Sequence, residues 1–213
     1  VKDIMMPWAE QVEKATNGRV KVKLLPKAVT NPTNHFDAVR DGLADIVFIS
    51  HSYTPARFPL TRIGVLPFSG DNAEVNSVAL WRIYDRHFAK FNEHQGVKLL
   101  TMYTHGPGIP WNTKKPITKV EDFQGMKFRV GGGMAADVGN ALGANVIAKP
   151  APESYELLSS GVVDGVFFPG ESIASFKRGC AGLTWRPPRQ TRATTLERGD
   201  RLRESRAPLR FAG

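Results

Sequence analysis

The chain has 213 residues, 41% of them hydrophobic and 23% charged, with a formal net charge of +9, five histidines and one cysteine. That length supports one large domain or two small lobes, and that composition excludes wholesale disorder. A single Cys180 allows neither an internal disulfide nor a thiolate-rich metal site, and the histidines show neither an i, i+4 pair nor an HExxH pattern. No apolar run reaches the roughly 18–20 residues that span a bilayer. The chain opens on Val1, which suggests a processed or lost beginning, so the lack of a signal-like start is silent about compartment.

Residues 1–17 read as a helix, with Pro7 in its first turn and Trp8, Val12 and Ala15 on one apolar face; Asn17-Gly18 stops it. Arg19 to Leu25 alternates apolar and basic residues, the pattern of a half-exposed strand. A short helix over about Asn34 to Leu43 leads into a buried strand, Ile46 to Ile49. Residues 51–70 are proline-punctuated and aromatic, hence loop. Asn72 to Asn92 carries a helical stripe in which Trp81, Tyr84 and Phe88 face the core, and Val97 to Tyr103 reads as a strand.

After Gly/Pro-rich chain near 106–116, short strands at Met126–Val130, Asn145–Ala148 and Val162–Phe168 alternate with helices at Met134–Leu142 and Pro152–Ser159. Such alternation predicts a mainly parallel sheet covered by helices, and two such stretches suggest two α/β lobes with a cleft between them.

The charge is unevenly placed. Residues 1–177 hold 20 Lys and Arg against 17 acids, net +3, whereas residues 178–213 hold nine Arg against three acids, net +6. That last segment has no Ile, Val, Lys, Tyr or Met and no periodicity. It reads as a segment foreign to the fold, such as an out-of-frame product, and is expected to be disordered. A basic tail for phosphate or membrane and a solvated linker are the alternatives.

Arg129 is the leading candidate for chemistry. It sits in Met126-Lys127-Phe128-Arg129-Val130, a strand ending at three glycines, and an arginine there is expensive unless an anion meets it. Ligand crevices of open α/β sheets lie at the carboxyl ends of strands, and a guanidinium grips a carboxylate through two parallel hydrogen bonds. The plain alternative is an edge arginine facing solvent or a structural acid. Gly131-Gly132-Gly133-Met134-Ala135-Ala136 formally fits GxGxxA, with Glu153 about twenty residues on, so a dinucleotide-binding enzyme is a competing reading. Lys127 and Arg129 interrupt the apolar strand that fold uses, and helix-start N–H groups serve any anion.

Tyr53, Phe58 and Trp111 lie in proline-flanked loops and are candidates to wall a pocket, with Asn112 beside them; packing beneath the loops is the alternative for each. Arg57 would add a second cation among aromatics. Phe167 and Phe168 alternate across a strand, so at most one faces a cleft while the other enters the core, with Phe168 taken as the ligand-side ring. Glu171 either bonds a ligand hydroxyl or caps the next helix. No Ser/His/Asp or Cys/His set is recognisable, and no cofactor, metal or catalytic residue is expected.

Five segments taken together resemble the extracytoplasmic solute receptors of TRAP transporters, the DctP family: PWAEQVEKATNGRVKVKLLP (7–26), FDAVRDGLADIVFIS (36–50), SYTPARFPL (52–60), KPITKVEDFQGMKFRV (115–130) and APESYELLSSGVVDGVFFP (151–169). The resemblance implies a two-lobed, type II periplasmic-binding-protein-like α/β fold, truncated here. Lobe I would occupy 1–113, a partial lobe II 114–177, and the Arg-rich non-family tail 178–213. It implies a periplasmic receptor, not an enzyme, with a small organic carboxylate held by Arg129 and delivered to the membrane subunits of a sodium-coupled transporter. Neither nucleic-acid binding nor direct membrane insertion is expected of it. A nucleic-acid-associated protein acting through the tail is the rival from another class. Where Phe168 stands, members of the family often have Asn, which shifts the expected ligand toward aromatic or less hydroxylated acids.

Overall fold

A computed structural model describes residues 2–175. The expectations for residues 178–213 lie outside them. Helix α1 (Lys2–Ala15) ends at Asn17-Gly18, both with positive φ. Pro7 falls in the interior of α1 instead of its first turn, removing one intrahelical hydrogen bond. A turn over Pro32–Asn34, started by Asn31 accepting the Thr33 amide, feeds α2 (His35–Arg40), which buries Phe36 and Ala38.

The expected strands at 19–25, 46–49 and 97–103 are not formed as strands: among the described residues none has a ladder partner. Alternation at 19–25 and apolar runs in the other two pointed to strands, but a strand also needs a neighbour's N–H and C=O groups.

Helix α3 (Ala73–Ile83) is capped by Asn72, whose side chain accepts the Val75 amide at 3.0 Å. The helix expected to reach Asn92 instead widens into a π-turn at Tyr84–Phe88 and tightens into a 3-10 turn at Ala89–Phe91. The apolar stripe still packs as expected: Leu80, Tyr84 and Met102 form a core, with Trp81 and Phe88 against it.

One four-stranded sheet organises the rest: β1 (Ile109–Asn112), β2 (Lys127–Val130), β3 (Asn145–Ala148) and β4 (Gly165–Phe168), in the order β1-β4-β2-β3. β2 runs parallel to β3 and β4, and β1 pairs antiparallel with β4. β1 lies in chain read as linker from its glycines and prolines. Pro110 is tolerated because β1 is an edge strand. It falls before the expected 113/114 boundary yet belongs to the sheet built by the following residues.

Helices α4 (Met134–Ala141) and α5 (Ser154–Ser159) fill the crossovers, as alternation predicts, and α6 (Gly170–Ser175) follows β4. One sheet face is the core: Phe128 with Phe123, Met126 and Ala144, flanked by Val146 and Phe167. Gly165 is obligatory beneath it, since a Cβ there would come within 2.3 Å of the Trp111 carbonyl oxygen and 2.5 Å of the Phe128 ring.

Candidate ligand-binding site

Strand register builds the site. Phe128 lies opposite Gly165 and Arg129 opposite Val166, so pleating sends Phe128 and Phe167 to the core face and Arg129 and Phe168 to the other. Phe128 and Phe167 meet edge to face at 5.2 Å between centroids, and the Arg129 Cζ stands 4.9 Å from the Phe168 ring. The expected division of Phe167 and Phe168 between core and opposite face is what the sheet shows.

Arg129 is only 2% exposed. Its Nε and Nη2 donate to the Lys149 carbonyl at 2.8 and 2.5 Å, fixing the plane of the guanidinium. Burial lowers its affinity for a proton, while the nearby Tyr53 hydroxyl and the Glu153 carboxylate act the opposite way. Among the described residues Arg129 takes part in no ion pair. Glu153 is bridged by Lys149 at 3.3 Å. Arg129 is thus a buried arginine whose polar contacts are one carbonyl and one phenol, with the Glu153 carboxylate acting on it from a distance.

Tyr53 comes from the other half of the chain. It ends a 3-10 turn (His51–Tyr53), and its hydroxyl accepts the Ala151 amide at 3.0 Å. The glycine turn after β2 makes this possible. Gly132 has φ +99, and a Cβ there would meet the Ser52 carbonyl oxygen at 2.6 Å. The close approach that the Gly131–Gly133 pattern permits is therefore to the Ser52–Pro55 turn of the same chain.

The other expected residues are distributed as follows. Trp111 lies opposite Val166 on the Arg129 face, its Nε1 donating to the Phe168 carbonyl at 3.2 Å. Asn112 lies on the core face, and its side-chain oxygen accepts the Lys114 and Lys115 amides at 2.9 and 3.0 Å. Phe58 is buried between His51 and Phe36. Arg57 donates to Asp37 at 2.9 Å and covers the Phe36 ring. Glu171 accepts the Gly106 amide at 2.9 Å, tying the corner after β4 to the chain entering β1. The sequence held no sign of the Lys149 carbonyl or the Ala151 amide, because backbone groups carry no residue-type signal. Nor did it show that His51 and His94 meet.

Residues 2–179 match the family of bacterial extracellular solute-binding proteins, family 7 (DctP). The TRAP periplasmic solute-binding protein of Bordetella bronchiseptica, solved with bound (R)- and (S)-mandelate, is similar at TM-score 0.81 and 63% identity, over 83% of this chain and 56% of that one. A marine metagenome TRAP solute-binding protein specific for aromatic acid ligands, in complex with 3-hydroxybenzoate, is similar at TM-score 0.77 and 34% identity, over 82% of this chain and 55% of that one. The outer membrane transporter protein TsaT of Comamonas testosteroni is 36% identical over 163 residues, 76% of this chain and 48% of that protein. The chain spans about half the length of the curated relatives it matches. It belongs to the DctP family of bacterial extracellular solute-binding proteins, receptors with the mixed α/β fold described above.

Proposed function

We propose that this chain is the part of a periplasmic TRAP receptor that captures a small aromatic monocarboxylate, with Arg129 as its clamp, for delivery to membrane subunits. The observation that carries this reading is a guanidinium 2% exposed, lying against the Phe168 ring and engaged by no acid among the described residues. Such a group gains most from a partner that neutralises it and fills its remaining hydrogen-bonding edge.

Two further features support the ligand class. Phe168, Trp111 and Ile147 share the Arg129 face, and a ligand hydroxyl buried against them costs about 1–3 kcal/mol unless it finds a partner. Arg57 is held by Asp37, which favours one carboxylate over two. The mandelate and 3-hydroxybenzoate of the similar structures each carry an aromatic ring and a single carboxylate, and each has one hydroxyl that needs a partner. On this reading residues 1–113 and 114–177 correspond to the two lobes, with β1 contributed across that boundary.

Calorimetric titration with (R)- and (S)-mandelate tests the proposal. Arg129→Met should weaken binding by about 100-fold or more, roughly 3 kcal/mol, and unchanged affinity would refute the clamp. A buried clamp should also respond modestly to salt, whereas binding of nucleic acid through the basic segment should weaken steeply.

A further inference from the structure

Behind the Tyr53 turn lies a largely buried chain of hydrogen-bonding side chains, two of them histidines, that the carboxylate site does not use. Thr61 Oγ1 is 2.8 Å from His51 Nδ1, His51 Nε2 is 3.2 Å from His94 Nε2, and His94 Nδ1 is 3.2 Å from the Tyr84 hydroxyl. His94 and Tyr84 are both buried. Both imidazoles lie on Phe58, His51 at 4.0 Å and His94 at 5.2 Å between centroids. Four segments meet here: the His51–Tyr53 turn, the Thr61–Val65 turn, the end of α3 with its π-turn, and the loop at 92–95.

The charged groups facing this chain come from those same segments, from the loop joining the two turns, and from α2 and α4. Glu93 accepts the Leu60 and Thr61 amides, Arg62 pairs with Asp137, and Arg57 with Asp37 flanks Phe58 through Phe36. Glu93 favours the charged form of His94, but burial outweighs it and lowers His94 overall. Burial, and then the neighbouring His94, lower His51 to about 4. Tyr84 is shifted up, so it stays a neutral hydroxyl.

Two ring nitrogens at 3.2 Å attract only when one carries a hydrogen and the other a lone pair. The neutral pair meets that condition in either tautomeric arrangement, because the terminal hydroxyls of Thr61 and Tyr84 both donate or accept. One added proton keeps an N–H···N contact but buries a cation against Phe58. A second sets two N–H groups face to face, and the contact becomes repulsive. His51 opens the turn whose last residue, Tyr53, stands beside Arg129.

We propose that His51 and His94 are positioning residues that make carboxylate capture depend on pH, holding the Tyr53 turn against Arg129 while neutral and releasing it when protonated. The ligand part of this rests on Arg129 being the clamp.

Two measurements separate the two ideas. With 3-fluorotyrosine in place of Tyr53 and no ligand, its fluorine resonance is followed together with the histidine ring carbons from about pH 8 to about pH 4. It should move with the imidazole midpoint in the native chain. In His94→Gln, whose amide keeps a donor and an acceptor near His51 without titrating, it should lose that response. A resonance that stays still while the imidazoles titrate overturns the proposal whatever the ligand does. In the second measurement, (R)-mandelate affinity should fall roughly tenfold per pH unit for each proton taken up on release, and His94→Gln should flatten the slope. Equal slopes in the two proteins overturn the proposal. If mandelate fails to bind the native chain even at the alkaline end, the clamp reading fails instead, and the fluorine titration decides the histidine pair by itself.

Discussion

The sheet over 109–168 and the segments at 19–25, 46–49 and 97–103 have similar strand-like sequences and opposite fates. In the sheet, Phe128, Val130 and Val166 are fully buried and every strand has a ladder partner. In the other region, Phe48 is 64% and Tyr103 57% exposed; the two rings stack on each other at 5.8 Å, largely in solvent. Both regions contain β-branched and aromatic residues. What separates them is the neighbour. A pleated segment contributes little until a second backbone takes its N–H and C=O groups and a second layer covers one face.

This contrast is open to direct attack, beginning where the effect is largest. Phe128→Ala should cost about 3–5 kcal/mol, because it empties the core beneath β2 and Gly165. Urea denaturation measures it, and a loss below roughly 1 kcal/mol would mean that the sheet is not the stable part of the molecule. Next comes acid. His51 is lowered from 6.5 to about 4 in the folded chain, so the unfolded chain binds more protons between those values. Stability tied to His51 is therefore full above about pH 6.5 and falls away as pH drops toward about 4. The loss should be roughly 2–3 kcal/mol. Urea midpoints across that window should drop, and His51→Gln should flatten the drop; an unaltered profile in that variant would assign it to carboxylates. The smallest effect is expected at Phe48. Phe48→Lys removes an exposed ring and should shift stability by no more than about 0.5 kcal/mol. A loss of several kcal/mol there would show that the region is packed in solution.

Much of the sheet was legible in advance because its signals are local. Glycines at 125, 131–133, 143 and 161 bracket the short apolar runs, and the crossover helices have their own 3.6-residue period. β1 was not legible: Pro110 and the glycines before it argue for loop, and only an edge position makes a proline harmless. The π-turn at Tyr84–Phe88 was hidden for a related reason, since the apolar stripe continues through it and the change lies in backbone hydrogen bonding. Arg129 could be singled out because a guanidinium inside a buried strand is costly wherever the strand lies.

Residue type and spacing alone thus determined the crossover elements, the split of Phe167 from Phe168 and the oddness of Arg129, all consequences of backbone period and the price of burying charge. Only the tertiary structure decided which extended segments became strands, that Tyr53 and the Lys149 carbonyl meet Arg129, that Arg57 belongs to Asp37, and that His51 finds His94. Those outcomes depend on contacts between residues far apart in sequence, and chain closure of that kind leaves no trace in local pattern.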